Sequence, residues 1–202
     1  MRQAVFILAS MGILGGLTAC SSSGLDAGLH VPYHAPLFLN QTKQSDLNKL
    51  NINGKTIELV PSSHLNHRDF YIADDRAVGT FLKYARFGYV DNHLFTSGIK
   101  ASDLPTFGTF VYTGRAIHQQ NNKQTQEYAR FNVDFGNKTI TGGIGLRGEI
   151  LPLQARLDQD SFSGTNNGVK MEGKLFGLGG LEMAGYYYNS NESISGAFGA
   201  AR

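Results

Sequence analysis

The sequence predicts an all-β chain, with a small N-terminal sheet followed by a C-terminal eight-stranded antiparallel up-and-down barrel. Three observations predict it. Twenty-five glycines and 22 aromatic residues without tryptophan fit a chain of many short strands and turns. Composition changes near Pro105: four of the five prolines precede it or sit on it, and 16 of the 25 glycines follow it. Beyond that point, apolar and polar residues alternate with a period of two.

The alternation is clearest in three segments. In 128–135, Ala129, Phe131, Val133 and Phe135 share one face, and Tyr128, Arg130, Asn132 and Asp134 take the other. Leu151, Leu153, Ala155 and Leu157 oppose Pro152, Gln154, Arg156 and Asp158. Val169, Met171, Gly173 and Leu175 oppose Lys170, Glu172 and Lys174. One face is apolar and one wet, as an antiparallel sheet requires. Strands are expected at about 109–118, 127–135, 139–146, 150–157, 160–164, 169–176, 181–188 and 193–200. The links are turn-like: Gly136-Asn137, Arg147-Gly148, Asn166-Asn167-Gly168, Gly177 to Gly180, and Asn189 to Asn191. Closing such a meander removes the exposed edges that invite aggregation. The strands read as shorter than a membrane-crossing barrel needs and carry charge on their polar faces, so the barrel is expected to be soluble.

The first half is organised differently. Met1-Arg2-Gln3 is a short positive start, Ala4 to Leu17 is uncharged and apolar, and Leu17-Thr18-Ala19-Cys20 is the pattern a lipoprotein signal peptidase reads. The apolar run is too short to span a bilayer. Residues 1–19 are therefore expected to be a signal peptide and Cys20, the only cysteine, the acylated residue. The membrane is then reached through a lipid anchor, and no aspartate stands directly after Cys20, which fits the outer membrane as destination. Residues 20–45 are expected to be anchor and flexible tether, 46–105 a small β subdomain, and 106–202 the barrel. Within the subdomain, Asn53-Gly54 between two β-like runs predicts a hairpin. Phe70 to Ile72, Phe81 to Val90 and His93 to Phe95 are strand candidates, with a short helix over Arg76 to Tyr84 as the alternative.

The net charge of +2, about +1 without Arg2, is too balanced for phosphate-driven binding, so no nucleic-acid partner is expected. No catalytic set stands out. Asp74-Asp75-Arg76 reads as a charged turn, and there is neither a Gly-x-Ser-x-Gly elbow nor a phosphate-cradling loop. The expectation is a non-enzyme. His30/His34 and His64/His67 have metal-like spacings but lack a third ligand on a rigid support, so no metal is expected. Tyr186-Tyr187-Tyr188 puts Tyr186 and Tyr188 on one face and Tyr187 on the other. Tyrosine is common at interfaces, making Tyr186 and Tyr188 contact candidates, with a barrel-stabilising stripe as the alternative. Phe38, Phe70, Tyr71 and Phe87 read equally as core or contact residues.

The second half resembles the barrel of the transferrin-binding protein B family of Gram-negative surface lipoproteins, which includes factor H-binding, haem-binding and colonisation members. The resemblance rests on Tyr112-Thr113-Gly114, the run Phe131 to Gly142, Phe162 to Thr165, Gly173 to Gly177, Glu182 to Gly185, and the closing Ile194 to Arg202. Tyr84 to Gly88 and Leu104 to Gly108 resemble the junction of the family's "handle" sheet with its barrel. The chain departs from the family in having one lobe, a short handle and a compressed Gly177 to Met183 segment, so the resemblance does not by itself specify transferrin. It implies a non-catalytic surface lipoprotein that binds a host macromolecule, either a complement factor H-type regulator or an iron- or haem-carrying serum protein. It also implies an outer-membrane lipoprotein translocator as a partner. Because relatives bind haem through a handle histidine, it makes His64, His67 and His93 candidates for a haem-carrier alternative. Otherwise no cofactor is expected. A structural lipoprotein without a soluble ligand is the third reading.

Overall fold

A computed structural model describes residues 34–202 apart from 42, 53, 65–68, 92, 122 and 192. The signal peptide, Cys20, the first tether residues and His67 lie outside the described residues.

The C-terminal half is a closed barrel of eight antiparallel strands: β8 (Thr109–Gln120), β9 (Lys123–Asp134), β10 (Thr139–Leu146), β11 (Glu149–Asp158), β12 (Ser161–Asn166), β13 (Val169–Phe176), β14 (Glu182–Asn189) and β15 (Ile194–Ala201). β15 closes on β8 over eight register pairs, Ile194–Gln120 to Ala201–Thr113. The predicted inward faces are the real ones: Phe131, Val133, Leu153, Leu157, Met171 and Leu175 fill the interior with Tyr112, Phe162, Tyr187 and Phe198. Each large side chain so buried contributes about 1.5–3 kcal/mol. β8 and β9 are 12 residues each, longer than the sequence suggested, and project as one hairpin. Strand length thus does not separate this barrel from a membrane-spanning one. Arg115, Arg130 and Arg156 on its outward positions do, because a lipid-facing band excludes such charge.

The handle is a five-stranded sheet in the order β1-β7-β6-β5-β4. Its strands are β1 (His34–Gln41), β4 (Phe70–Ala73), β5 (Arg76–Gly79), β6 (Ala85–Val90) and β7 (His93–Ile99). A separate hairpin, β2 (Lys49–Ile52) with β3 (Lys55–Glu58), forms where the sequence predicts it, and Gly54 takes φ +81°. Two expectations change. The stretch assigned to the tether contains β1, which pairs in parallel with β7. Parallel pairing joins residues distant in sequence and leaves no local turn signal. The helix alternative over Arg76 to Tyr84 gives way to strand β5 and an irregular link, because Arg76 to Gly79 completes the ladder between β4 and β6.

Each handle face is buried. Val78, Val90 and Phe95 pack beneath the β2–β3 hairpin against Leu50, Ile57 and Leu59. The opposite face, with Ala77, Phe87, Tyr89 and Leu94, lies on the outer barrel wall against Ile117, Phe176, Ala184, Tyr186 and Ala197. Two glycines permit this docking. The ring of handle Phe87 occupies the space beside barrel Gly199, and barrel Phe176 the space beside handle Gly98, where any Cβ would come within 2.2 and 2.4 Å of the rings.

Candidate binding surface

The two ends of the barrel differ chemically. At the end holding Gly177 to Gly180, the Arg202 guanidinium lies 4.1 Å from the Phe110 ring centroid and 5.8 Å from that of Phe135. It also donates to Gly179 O at 2.6 Å. The Tyr112 hydroxyl donates to Gly180 O, and burial pushes its pKa up to about 12. A cation over aromatic faces, with one guanidinium nitrogen donating to a backbone carbonyl, closes this end.

The other end is open. Its floor is His118, only 4% exposed, whose Nδ1 lies 2.8 Å from the Tyr187 hydroxyl with the two rings 18° from parallel. His118 Nε2 is buried and has no hydrogen-bond partner among the described residues. Burial lowers the imidazole pKa, against the opposing pull of Gln120 and Glu127, and raises that of Tyr187 well above its ordinary value. Lys123, Thr125, Glu127, Arg147 and Glu149 surround the cleft above it, about 410 Å³ in volume. A second cleft of about 450 Å³ lies between the β8–β9 hairpin and the handle edge, with Ile72, Ile117, Gln126 and Arg147 in its lining. The projecting hairpin therefore offers two recesses of mixed charge, suited to a partner's polar loops and not to an apolar ligand.

Of the histidine candidates, His64 and His93 are described and sit on different elements. His64 sits in the 3-10 turn Ser62–His64, with Nδ1 2.9 Å from Ser63 Oγ and its ring 5.3 Å from that of Tyr71. His93 opens β7, level with His34 of β1 and Val90 of β6. No group of three or more His, Cys, Asp or Glu able to hold a metal occurs among the described residues. Tyr186 is 2% exposed beneath the handle, donating to Glu172 Oε2 at 3.0 Å, and Tyr188 is partly buried beside it with stacked rings 6.2 Å apart. Asp75 receives Arg76 Nε at 2.7 Å in the β4–β5 turn, and that bond lowers its pKa.

His118 was not among the sequence candidates. The signal was present: two-residue alternation from Tyr112 through Ala116 carries His118 to the barrel interior. Glu182 was missed too. It is 5% exposed, and its carboxylate accepts the backbone N–H groups of Lys83 and Tyr84 at 2.6 and 2.7 Å. Sequence marks it only as a charge next to an apolar run.

Residues 104–202 match the family described as the C-lobe and N-lobe beta barrels of Tf-binding protein B. An uncharacterized protein of Haemophilus influenzae is 29% identical over 126 residues, covering 55% of this chain and 43% of its own. Among solved structures, transferrin binding protein B of Neisseria meningitidis superposes with TM-score 0.60 at 22% identity, over 78% of this chain and 39% of that one. A transferrin binding protein B mutant of Haemophilus parasuis gives 0.55 at 22% identity, over 77% and 40%. A protein described as a surface lipoprotein gives 0.52 at 19%, over 80% and 95%. This chain spans about 40% of the length of the transferrin-binding proteins it matches, as one handle and one barrel. Over residues 104–202, just under half of the chain, the barrel is similar to the barrels of transferrin-binding protein B.

Proposed function

We propose that this protein is a non-catalytic lipoprotein, anchored through acylated Cys20 and displayed on the outer-membrane surface, that binds an iron-carrying host protein of the transferrin class. The observation that carries this reading is the similarity to transferrin-binding protein B of a barrel closed at one end and open at the other. The open end presents the β8–β9 hairpin between two polar recesses. On this reading the handle backs the barrel, the tether lifts both from the membrane, and an outer-membrane translocator delivers them to the surface.

The test is binding of the full chain, immobilised in detergent, to iron-loaded transferrin, iron-free transferrin, haemoglobin and complement factor H. Saturable retention of an iron-carrying protein supports the reading. Retention of factor H alone moves the protein to complement evasion, and retention of none removes host-protein capture. Protease shaving of intact cells checks display, because a protein protected until the outer membrane is broken is not on the surface.

A further inference from the structure

Gly145 is the one strand glycine among the described residues for which the fold supplies no reason. At every other glycine within a described strand, an added Cβ would come within 3 Å of backbone or a packed ring. At Gly145 it would meet only Tyr128 O, at 3.8 Å, and its φ is not positive. An unforced glycine weakens a strand, and one in mid-sheet marks a place where another backbone or a ligand approaches closely.

What flanks it points the same way. Gly145 is level with Tyr128 on β9 and with Ile150 on β11. Residues level across a ladder project to the same face. Tyr128 is 75% and Ile150 71% exposed. One strand, β10, separates them, so their Cα atoms stand two interstrand spacings, roughly 9–10 Å, apart over a bare floor. Tyr128 is held from behind: Arg115 lies 5.5 Å from its ring centroid and is itself fixed by Asp69 at 3.5 Å and Gln126 at 3.1 Å. One step along, exposed Arg130 is level with Gly143, and Pro152 lies beyond.

The outward strand positions of this groove carry charge of one sign, and the nearby Asp69 carboxylate is paired with Arg115. By strand alternation, Glu127 and Glu149 turn to the mouth cleft. The outward positions from Gln124 to Asn132, Thr141 to Gly145, and Ile150 to Gln154 carry Arg130 and no carboxylate. A pre-positioned tyrosine and an arginine beside a recess are the residues that dominate protein interfaces.

We propose that the outer wall of β9–β11 is a docking groove for an extended segment of a protein partner. One apolar side chain of the segment sits over Gly145 between Tyr128 and Ile150, and an acidic side chain meets Arg130. A groove one strand wide fits an extended chain better than a flat lipid surface. The inference rests on the reading of this lobe as a protein-binding module, and its test separates the two.

The test is an amide-shift titration of the ¹⁵N-labelled full chain with a capped octapeptide alternating glutamate and valine. A version with lysine for glutamate, and phosphatidylglycerol vesicles, serve as further probes. The acidic peptide is expected to shift the amides of Tyr128, Gly145 and Ile150. Affinity should fall at least tenfold for the lysine peptide and for Gly145→Val, which fills the floor and whose Cβ meets backbone only at ordinary van der Waals distance, 3.8 Å from Tyr128 O. Exposed Ile150→Ser provides a second variant should Gly145→Val lose its native spectrum. The inference is overturned if the acidic peptide leaves these amides unmoved, if it binds Gly145→Val equally, or if only vesicles move them. If the wild type retains a host protein that Gly145→Val retains equally, the groove fails while the binding function stands. If the wild type retains no host protein, the function fails and the peptide titration alone decides the groove.

Discussion

Glu182 of the barrel accepts the backbone N–H of handle residue Tyr84 at 2.7 Å, while its other carboxylate oxygen accepts that of Lys83 at 2.6 Å. One side chain thus satisfies two donors of the irregular link that joins β5 to β6. The Arg86 guanidinium, desolvated and with its pKa lowered by that burial, donates to Ala85 O at 2.7 Å in the same link. Glu182→Ala removes the carboxylate that accepts both part-buried N–H groups. The expected cost is roughly 2–4 kcal/mol at about 1–3 per lost acceptor, read as a lower urea midpoint. The handle should open before the barrel, so amide exchange should speed up at residues 83–90 before it does in β9 and β10.

Desolvation also raises the Glu182 pKa above its ordinary 4.5. A group that binds its proton more readily when folded contributes stability that is full below pH 4.5 and declines as pH rises through the raised value. Glu182→Gln removes that decline. Urea midpoints of wild type and variant, compared from pH 4 to pH 8, should diverge in slope. Parallel curves would show that Glu182 does not titrate differently on folding.

His118 has the opposite sign. Burial holds its pKa below the ordinary 6.5, so its contribution is present above pH 6.5 and is lost as pH falls through the lowered value. Tyr187→Phe leaves His118 Nδ1 without its 2.8 Å partner and should cost about 1–3 kcal/mol. His118→Gln should flatten the acid limb of the stability profile. Histidine chemical shifts followed through a pH titration give the direct check, because His118 should titrate below the ordinary 6.5.

Two strand glycines should respond in opposite directions. Gly145→Val relieves the strand of an unforced glycine and should stabilise the barrel by about 0.5–1 kcal/mol. At Gly114 a Cβ would stand 2.1 Å from Gly199 O across the β8–β15 closure, so Gly114→Ala should destabilise by about 1–3 kcal/mol or prevent closure. Thermal melts of the two variants decide it, and equal losses would show that Gly145 is structural after all.

Arg202→Ala removes the cation from the Phe110 face and the donor from Gly179 O. The expected cost is about 1–3 kcal/mol, combining one desolvated cation–π contact with one hydrogen bond. Amide exchange should speed up at Gly179, Gly180 and Leu181 while the open end, with His118 and Tyr187, keeps its protection.

Sequence alone determined the barrel. The alternation in 128–135, 151–158 and 169–176 assigned Phe131, Leu153 and Met171 to the interior correctly, because a period of two states which face of a strand must leave water. Asn53-Gly54 placed the hairpin for an equally local reason. Periodicity says nothing about what covers the other face, and that is where tertiary structure decided. Tyr186 looked available on an outward face, yet the handle buries it. β1 joined the handle through parallel pairing between segments more than 50 residues apart, which no local pattern encodes. Arg76 to Gly79 is a strand because β4 and β6 flank it. His118 and Gly145 acquired meaning only when closure set one beneath an open mouth and the other on a bare floor between Tyr128 and Ile150. Which groups lie side across from side in a sheet depends on register, and register is fixed by the whole barrel.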